Sequence, residues 1–430
     1  MIDIKQIRDN PEKFKKAAKD KNFNVDIERL LEMDSALRYA KKRLQDLSTE
    51  KNRLSKSIPK RSENEKQFAL AQLTQLKRDE TQLQEEIKQL KPVFDEWMLF
   101  VPQPADDDVP IGKDDTENVE IRREGEIRKF DFEPKDHVQL GLALGIIDIE
   151  RGVKLAGTRN YILKGDGALL HWAVLRFAID YMVDKGYVPM SVPLLMKDET
   201  MIGTGFFPGS EDQTYRMEKD QLNLVGTAEV PLTAYRMGEV LSAEELPLKY
   251  VALSSCFRRE AGAAGKDTYG LYRIHQFDKV EQVVICQNSV EESNKFHDEI
   301  LANAEAVMQA LELPYRVANV CTGDLGRGQV KKFDIEAWMP SRGNYCETHS
   351  ASKFYEFQAR RMNLRYKDPT TKKNHFCHTL NNTVIASPRI LIPILELYQN
   401  ADGSITIPKP LRPYMNGREK LVPVPHRSAG

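Results

Sequence analysis

Ser254-Ser255-Cys256-Phe257-Arg258-Arg259-Glu260-Ala261-Gly262 reads as a strand running into a glycine-containing loop, and Arg273-Ile274-His275-Gln276-Phe277-Asp278-Lys279-Val280-Glu281 as the strand that returns. Val251-Ala252-Leu253 lead in and Val283-Val284-Ile285-Cys286 lead out. Apolar flanks on both sides describe a covered, central hairpin with two arginines and a glutamate at one strand end. Arg273, Phe277 and Glu281 recur at every fourth position, so they are expected on one face. That face suits a nucleotide. Arginine grips phosphates bidentately, phenylalanine stacks on a base, and glutamate reads an amine or hydroxyl.

Around this hairpin the composition is that of a soluble chain. Its 430 residues are 41% hydrophobic and 30% charged, enough for two or three domains with a large core. The net charge of -1 means that any nucleic-acid binding must come from a local patch. Five cysteines without a C-x-x-C pair predict reduced thiols. His275, His349 and His378 match no zinc spacing, so no structural zinc is expected. No apolar signal core and no membrane-length apolar run are present, which predicts a cytoplasmic protein with no membrane partner.

Residues 1–25 predict one helix starting near Asn10-Pro11. Then Leu30, Met33, Leu37, Ala40, Leu44, Leu47, Lys51, Leu54 and Ile58 follow steps of three and four. After a break around Pro59 the pattern restarts at Ala69, Leu73, Leu76, Glu80, Leu83, Ile87, Leu90, Phe94 and Trp97. Only Lys51 and Glu80 are not apolar. The pattern predicts an antiparallel helical coiled-coil arm over about 27–97, roughly 45 Å long and too thin for a core of its own. Residues 41–61 carry Lys41, Lys42, Arg43, Lys51, Arg53, Lys56, Lys60 and Arg61 against Asp46 and Glu50. A positive tip suits a phosphate backbone, and a solvated or protein-docking coiled coil is equally compatible.

Pro- and Asp-rich residues 98–118 mark a boundary: an N-terminal domain 1–110, a mixed α+β body 111–417, and a loose tail 418–430. The body predicts a helix Leu169–Lys185 closed by Gly186, a strand Tyr187–Pro193 whose prolines place it at an edge or interface, and a helix over 289–312. Strands follow near Tyr315–Val320 and Phe333–Met339, and a last long helix over Pro388–Asn400.

There is no P-loop and no dinucleotide glycine motif, so nucleotide chemistry here would rest on arginine clamps. Arg389 is expected to open a helix, an unfavourable dipole position that points to an anionic ligand or to an ordinary salt bridge. Glu347, in Asn344–Ser350, could face the clamp and hold Mg2+ against phosphates. In an extended stretch Thr227 and Glu229 share a face and suit an ammonium; equally, Thr227 could cap a helix.

Taken in order, these residues resemble class II aminoacyl-tRNA synthetases, specifically the seryl-tRNA synthetase family, over about residues 1–417. Gly186-Tyr187 to Pro193 matches motif 1, which in the family builds a homodimer interface. Phe257–Glu260 with Arg273–Phe277 matches motif 2, and Arg389 matches motif 3. Thr227-Ala228-Glu229, the run 259–262, His275-Gln276-Phe277 with Glu281, Phe357-Gln358-Ala359-Arg360-Arg361 and His378-Thr379-Leu380-Asn381 match the seryl pattern. The resemblance implies an antiparallel sheet flanked by helices, with the coiled coil as a tRNA-binding arm presenting Lys41, Lys42, Arg43, Lys51, Arg53 and Lys56.

It also implies roles. Arg258 would hold the serine carboxylate and the α-phosphate, with Arg259 beside the ATP. Glu260 would read the adenine amine, and Phe277 and Arg389 would sandwich the ring, with Arg389 also close to the γ-phosphate. The backbone near Ile274 would approach ATP. Glu347 and Ser350 would hold Mg2+, with Thr348 and His349 also on the ATP side. Thr227, Ala228 and Glu229 would take the amino group, and Glu281 with Thr383 the substrate hydroxyl. The catalytic set would be Arg258, Glu260, Arg389 and Glu347. The implied activity is ATP-dependent activation of L-serine and its transfer to tRNA(Ser), recognised by its long variable arm, with tRNA(Sec) an open second acceptor. The alternatives are a paralogue that loads a carrier other than tRNA and a non-catalytic tRNA-binding relative. The chain departs from the commonest family pattern at Asn382, Val384 and Pro388, usually Gly, and at Cys346, His349 and Lys353-Phe354-Tyr355.

Overall fold

A computed structural model describes residues 1–262 and 269–423. Part of the loop between the two arginine motifs and residues 424–430 of the expected tail therefore lie outside the described residues. The chain divides into two units, Met1–Pro104 and Ala105–Gly430.

The first unit is helical. Two short helices, α1 (Ile4–Asp9) and α2 (Pro11–Asp20), stand where one was expected. Pro11 has no N–H to continue α1, and the Asn10 side chain restarts the chain by accepting from the N–H of Lys13 at 3.1 Å. The long helices α3 (Ile27–Ser57) and α4 (Glu63–Phe100) form the hairpin. Asp26 caps the first, and a Ser62/Glu65 capping box opens the second. Lys51 and Glu80, the two polar exceptions in the apolar seam, form an ion pair with each other. A matched polar pair in an apolar seam fixes the register of the two helices.

The second unit is built on one eight-stranded sheet. Its strands in chain order are β1 (Val119–Glu124), β2 (Val188–Pro189), β3 (Leu248–Phe257), β4 (Gln276–Cys286), β5 (Tyr315–Asn319), β6 (Lys331–Met339), β7 (Asn344–Lys353) and β8 (His378–Ser387). Across the sheet the order is β1-β5-β6-β7-β8-β4-β3-β2. All pairs are antiparallel except β2 with β3. Strand β2 is two residues long at the edge, much shorter than the expected Tyr187–Pro193, because its prolines cannot donate to a ladder.

Helices α5 (Asp166–Asp184) and α7 (Val290–Ala310) cover one face, where Val280, Val284 and Ile385 join Val174, Ala178, Ile300 and Ala304 in the main core. On β4 the alternation puts Val280, Gln282 and Val284 on that side and Phe277, Lys279 and Glu281 on the other. Short helices α6 (Glu229–Ala234) and α8 (Phe357–Met362) contribute to the second, smaller cluster with Val283 and Ile285. The last helix, α9 (Leu391–Leu397), is seven residues rather than the thirteen expected. Pro388 and Arg389 are spent in a turn, closed by the N–H of Ile390 to the carbonyl of Ala386 at 3.0 Å. Arg418–Pro423 are not loose: Lys420–Leu421 pair with Ile405–Thr406, and Leu421 is buried.

Candidate active site and basic arm

A cavity of about 440 Å³ opens over the uncovered face of the sheet. Strands β3, β4, β7 and β8 floor it, with the turns before α6 and α9 on its flanks.

One side is cationic and aromatic. The guanidinium of Arg258 lies 5.1 Å from the Phe277 ring, and its Nε donates to the carbonyl of Gly226 at 3.3 Å. The strand ends are locked together by the N–H of Arg258 to the carbonyl of His275 at 2.9 Å and His275 Nδ1 to the Arg258 carbonyl at 3.0 Å. Glu260 adopts φ +51°, a left-handed conformation unusual for a residue with a side chain, and its carboxylate pairs with Arg273 at 2.8 Å. Strand β4 begins only at Gln276, so Arg273 reaches the cavity from the loop rather than from the strand face. Arg389 stacks on Tyr272 at 4.3 Å and donates to the carbonyls of Tyr272 and Glu347, both at 3.1 Å. Leu271, next to Tyr272, donates its N–H to His137, which pairs with buried Glu396 of α9 at 2.7 Å. Glu347 opens into the cavity. Enclosure pushes its carboxyl up, but the positive charges of Arg389, Lys332, Arg258 and Arg273 outweigh this and hold it below the usual carboxylate range.

The other side is acidic and enclosed. Glu281 is buried at 2% exposure and forms an ion pair with Lys279. Lys279 also donates to the Thr227 hydroxyl at 2.8 Å. The Thr383 hydroxyl lies 3.5 Å from Glu281, the far limit of a hydrogen bond. Glu229 accepts from Gln358 at 2.8 Å, and Gln358 in turn accepts from Thr379 at 2.6 Å. Burial, and then the neighbouring charge of Glu281, push the Glu229 carboxyl up to about 7.

The segment Thr227-Ala228-Glu229 is not extended. Glu229 is the first residue of α6, Ala228 is its cap rather than Thr227, and the Glu229 N–H donates to Thr227 Oγ1 at 3.2 Å. Thr227 and Glu229 still line the cavity. Ile274, Thr348, His349 and Ser350 line it as well. Ala228 and Arg259 do not: Ala228 is packed in the second core cluster, and the Arg259 backbone bonds to Gln213. Sequence reasoning missed Lys279 and Tyr272. Counting every fourth residue from Arg273 stepped over Lys279, although strict alternation from Phe277 to Glu281 includes it.

In the first unit, Lys41, Lys42, Arg43, Arg53 and Lys56 are exposed on α3. Lys51 is half-buried and committed to Glu80.

The sequence profile of the class II tRNA synthetase core domain (G, H, P, S and T) matches residues 213–398, and that of the seryl-tRNA synthetase N-terminal domain matches residues 1–104. The chain is 46% identical to a serine–tRNA ligase of Deinococcus radiodurans, covering 98% of this chain and 99% of that one. The chain belongs to the seryl-tRNA synthetase family.

Solved structures of the family share the whole architecture. The seryl-tRNA synthetase from Pyrococcus horikoshii complexed with ATP superposes with a TM-score of 0.94 at 38% identity, covering 99% of this chain and all of that one. The cytoplasmic serine–tRNA ligase from Naegleria fowleri in complex with AMP gives 0.85 at 30% identity, with 96% of each chain covered. This family member thus has the class II fold, with the large antiparallel sheet and the long helical hairpin in one chain. Among the described residues, no helix is long and apolar enough to cross a membrane.

Proposed function

We propose that this chain activates L-serine with ATP and transfers it to the 3′ end of tRNA(Ser), in the cytoplasm. The observation that carries this reading is the two-sided cavity, in which one strand, β4, presents Phe277 to the cationic side and Lys279 and Glu281 to the acidic side. Arg258 holds the α-phosphate, Phe277 and Arg389 sandwich the adenine with Arg389 also close to the γ-phosphate, Glu260 reads the adenine amine, and Arg258 also orients the serine carboxylate for in-line attack on the α-phosphorus. Pyrophosphate leaves, and no protein nucleophile is needed. Fixed positive charge around the transferring group carries the rate.

Magnesium fits Glu347 and Ser350. Hard oxygen donors suit this ion, and the surrounding arginines keep Glu347 ionised. Among the described residues no three acidic, histidine or cysteine side chains cluster as a self-sufficient metal site, so ATP oxygens would complete the shell. Bound magnesium supplies charge neutralisation between the phosphates.

Glu229 and Thr227 take the serine ammonium, and Glu281 with Thr383 takes its hydroxyl. Alanine would leave buried Glu281 without that partner, and a site built for a hydroxyl can reject the lacking analogue by about 10^4-fold or more. The basic face of α3 binds the tRNA, and its long variable arm is the feature it reads. The working division is a tRNA-binding domain over about 1–110 and a catalytic domain over 111–417. Exposed Trp172 and Val183 on α5, Val188 on β2 and Leu253 on β3 support a homodimer formed along the motif 1 edge.

Pyrophosphate exchange with serine, threonine, alanine and glycine tests the first step, and charging of a long-variable-arm tRNA tests the second. Serine-selective exchange followed by charging is expected. Absence of serine-dependent exchange would sink the reading, and exchange without charging would favour a carrier-loading role.

A further inference from the structure

We infer that His349 is a positioning residue for the serine pocket, acting by holding two adjacent β-bulges together so that Thr383 faces Glu281. The inference rests on the serine reading above and departs from the nucleotide-side role that resemblance alone gives His349.

The register of the sheet is irregular at two places. Between β6 and β7, Ile335 faces His349 while Glu336 faces Glu347, so Thr348 is the extra residue. Between β4 and β8, Val280 faces Ile385 while Glu281 faces Thr383, so Val384 is the extra residue. Strands β7 and β8 are neighbours, and their own ladder runs from Lys353/Leu380 to Ala351/Asn382. Their ladder ends at that rung, and residues of both strands beyond it line the cavity.

His349 joins the two strands beyond the end of their ladder. Its Nε2 lies 3.0 Å from the carbonyl of Val384, and its Nδ1 lies 2.8 Å from the hydroxyl of Thr348. A carbonyl only accepts, so Nε2 carries the proton. Nδ1 then accepts from Thr348, whose hydroxyl is shared with the carbonyl of Ile335 at 3.1 Å. One imidazole thus contacts the extra residue of each bulge and takes the place of a backbone rung there. The ring is 1% exposed. Neither nitrogen is left for a phosphate.

The bulge at Val384 decides which side chain meets the substrate hydroxyl. A regular strand keeping Ile385 opposite Val280 would put Val384 opposite Glu281 and turn Thr383 toward the helices. As built, Val384 is buried in the helix-side core and Thr383 lines the cavity.

The test is pyrophosphate exchange by the full-length protein and its H349A, H349S and H349Q variants, with KM for serine and ATP measured separately and alanine as competing substrate. H349A and H349S should raise KM for serine about tenfold or more and erode the preference for serine over alanine, with KM for ATP within about twofold of wild type. H349Q, whose amide N–H can replace Nε2–H, should recover most of both. A rise in KM for ATP equal to or larger than that for serine would overturn the inference, as would H349Q behaving like H349A. If H349A does not fold, the contrast between H349S and H349Q decides by the same criteria. Failure of the underlying reading is separate, since it appears as no serine-dependent exchange in the wild type.

Discussion

Glu229 sits among groups that make its charge expensive, and this has a pH consequence. Its carboxyl is raised to about 7 from an ordinary 4.5 in the folded chain, so the native state binds the proton more tightly than the unfolded one. The contribution of Glu229 to stability therefore falls as pH rises from about 4.5 through 7. Glu229→Gln should raise the melting temperature relative to wild type at about pH 8 and leave it near wild type at about pH 4.5. On the proposed role of Glu229, substrate binding runs the other way, because an ammonium needs the carboxylate. KM for serine should climb as pH falls below about 7, more steeply than KM for ATP in the same exchange assays. Lys279 gives a second prediction at this scale. Lys279→Met would leave Glu281 buried without its cation, a change of the kind that costs about 3–5 kcal/mol. Thermal unfolding should register the loss, and Glu281→Gln in the same chain should restore much of it.

Arg258, Glu260, Phe277, Glu281, Glu347 and Arg389 all line one cavity; the hairpin pattern suggested a nucleotide face for Arg273, Phe277 and Glu281, and the family resemblance implied that Glu347 and Arg389 join it. Lys279 was passed over although strict alternation puts it on the face of Phe277 and Glu281; only its pairing with Glu281 and Thr227 had to be seen in the structure. The function of His349 was also hidden, since a bulge is a property of two strands and leaves no mark in either one.

Among the elements, the helical hairpin was the most legible. Its heptads specify both helices, and only the partnership of Lys51 with Glu80 had to be seen. Strand β2 was over-read because its prolines withdraw ladder donors, and α9 because Pro388 and Arg389 lie in a turn and the helix ends at Leu397, neither of which the apolar pattern registers. A less visible feature is the segment entering the catalytic unit. Asp106 is held by the buried ammonium of Lys353 at 2.7 Å and by the Tyr355 hydroxyl at 2.9 Å. Asp106→Ala strands that ammonium and should destabilise the catalytic unit by about 3–5 kcal/mol, read by urea unfolding. Adding Lys353→Met to it should recover a large part of the loss, because no uncompensated buried charge would then remain.

At the scale of the whole molecule, charge is segregated although the total is near zero. The exposed Lys41, Lys42 and Arg43 belong to the hairpin and not to the cavity. Removing residues 30–97 should abolish tRNA charging and leave serine-dependent exchange largely intact. Reversing Lys41, Lys42 and Arg43 to Glu should weaken tRNA binding and reduce the slope of log affinity against log salt by about one for each lost phosphate contact. Survival of charging in the deletion would show that the hairpin does not recruit the tRNA. Sheet order was beyond the reach of sequence reasoning, since strands such as β1 and β5 pair across nearly two hundred residues.

The position of β8 has a consequence for how the catalytic unit comes into being. It is the last strand of the large sheet to be synthesised, yet it lies between β7 and β4 in the middle. Until residues 378–387 leave the ribosome, the sheet can exist only as two separate fragments, each ending in an unsatisfied inner edge. The helical hairpin, whose contacts are sequential, has no such wait. A nascent chain should therefore mature in two stages, an early helical one and a late one that joins both half-sheets and creates the cavity in a single event. Chains stalled before residue 378 should show near-complete helical protection of the N-terminal unit, exposed strand edges that aggregate, and no affinity for ATP.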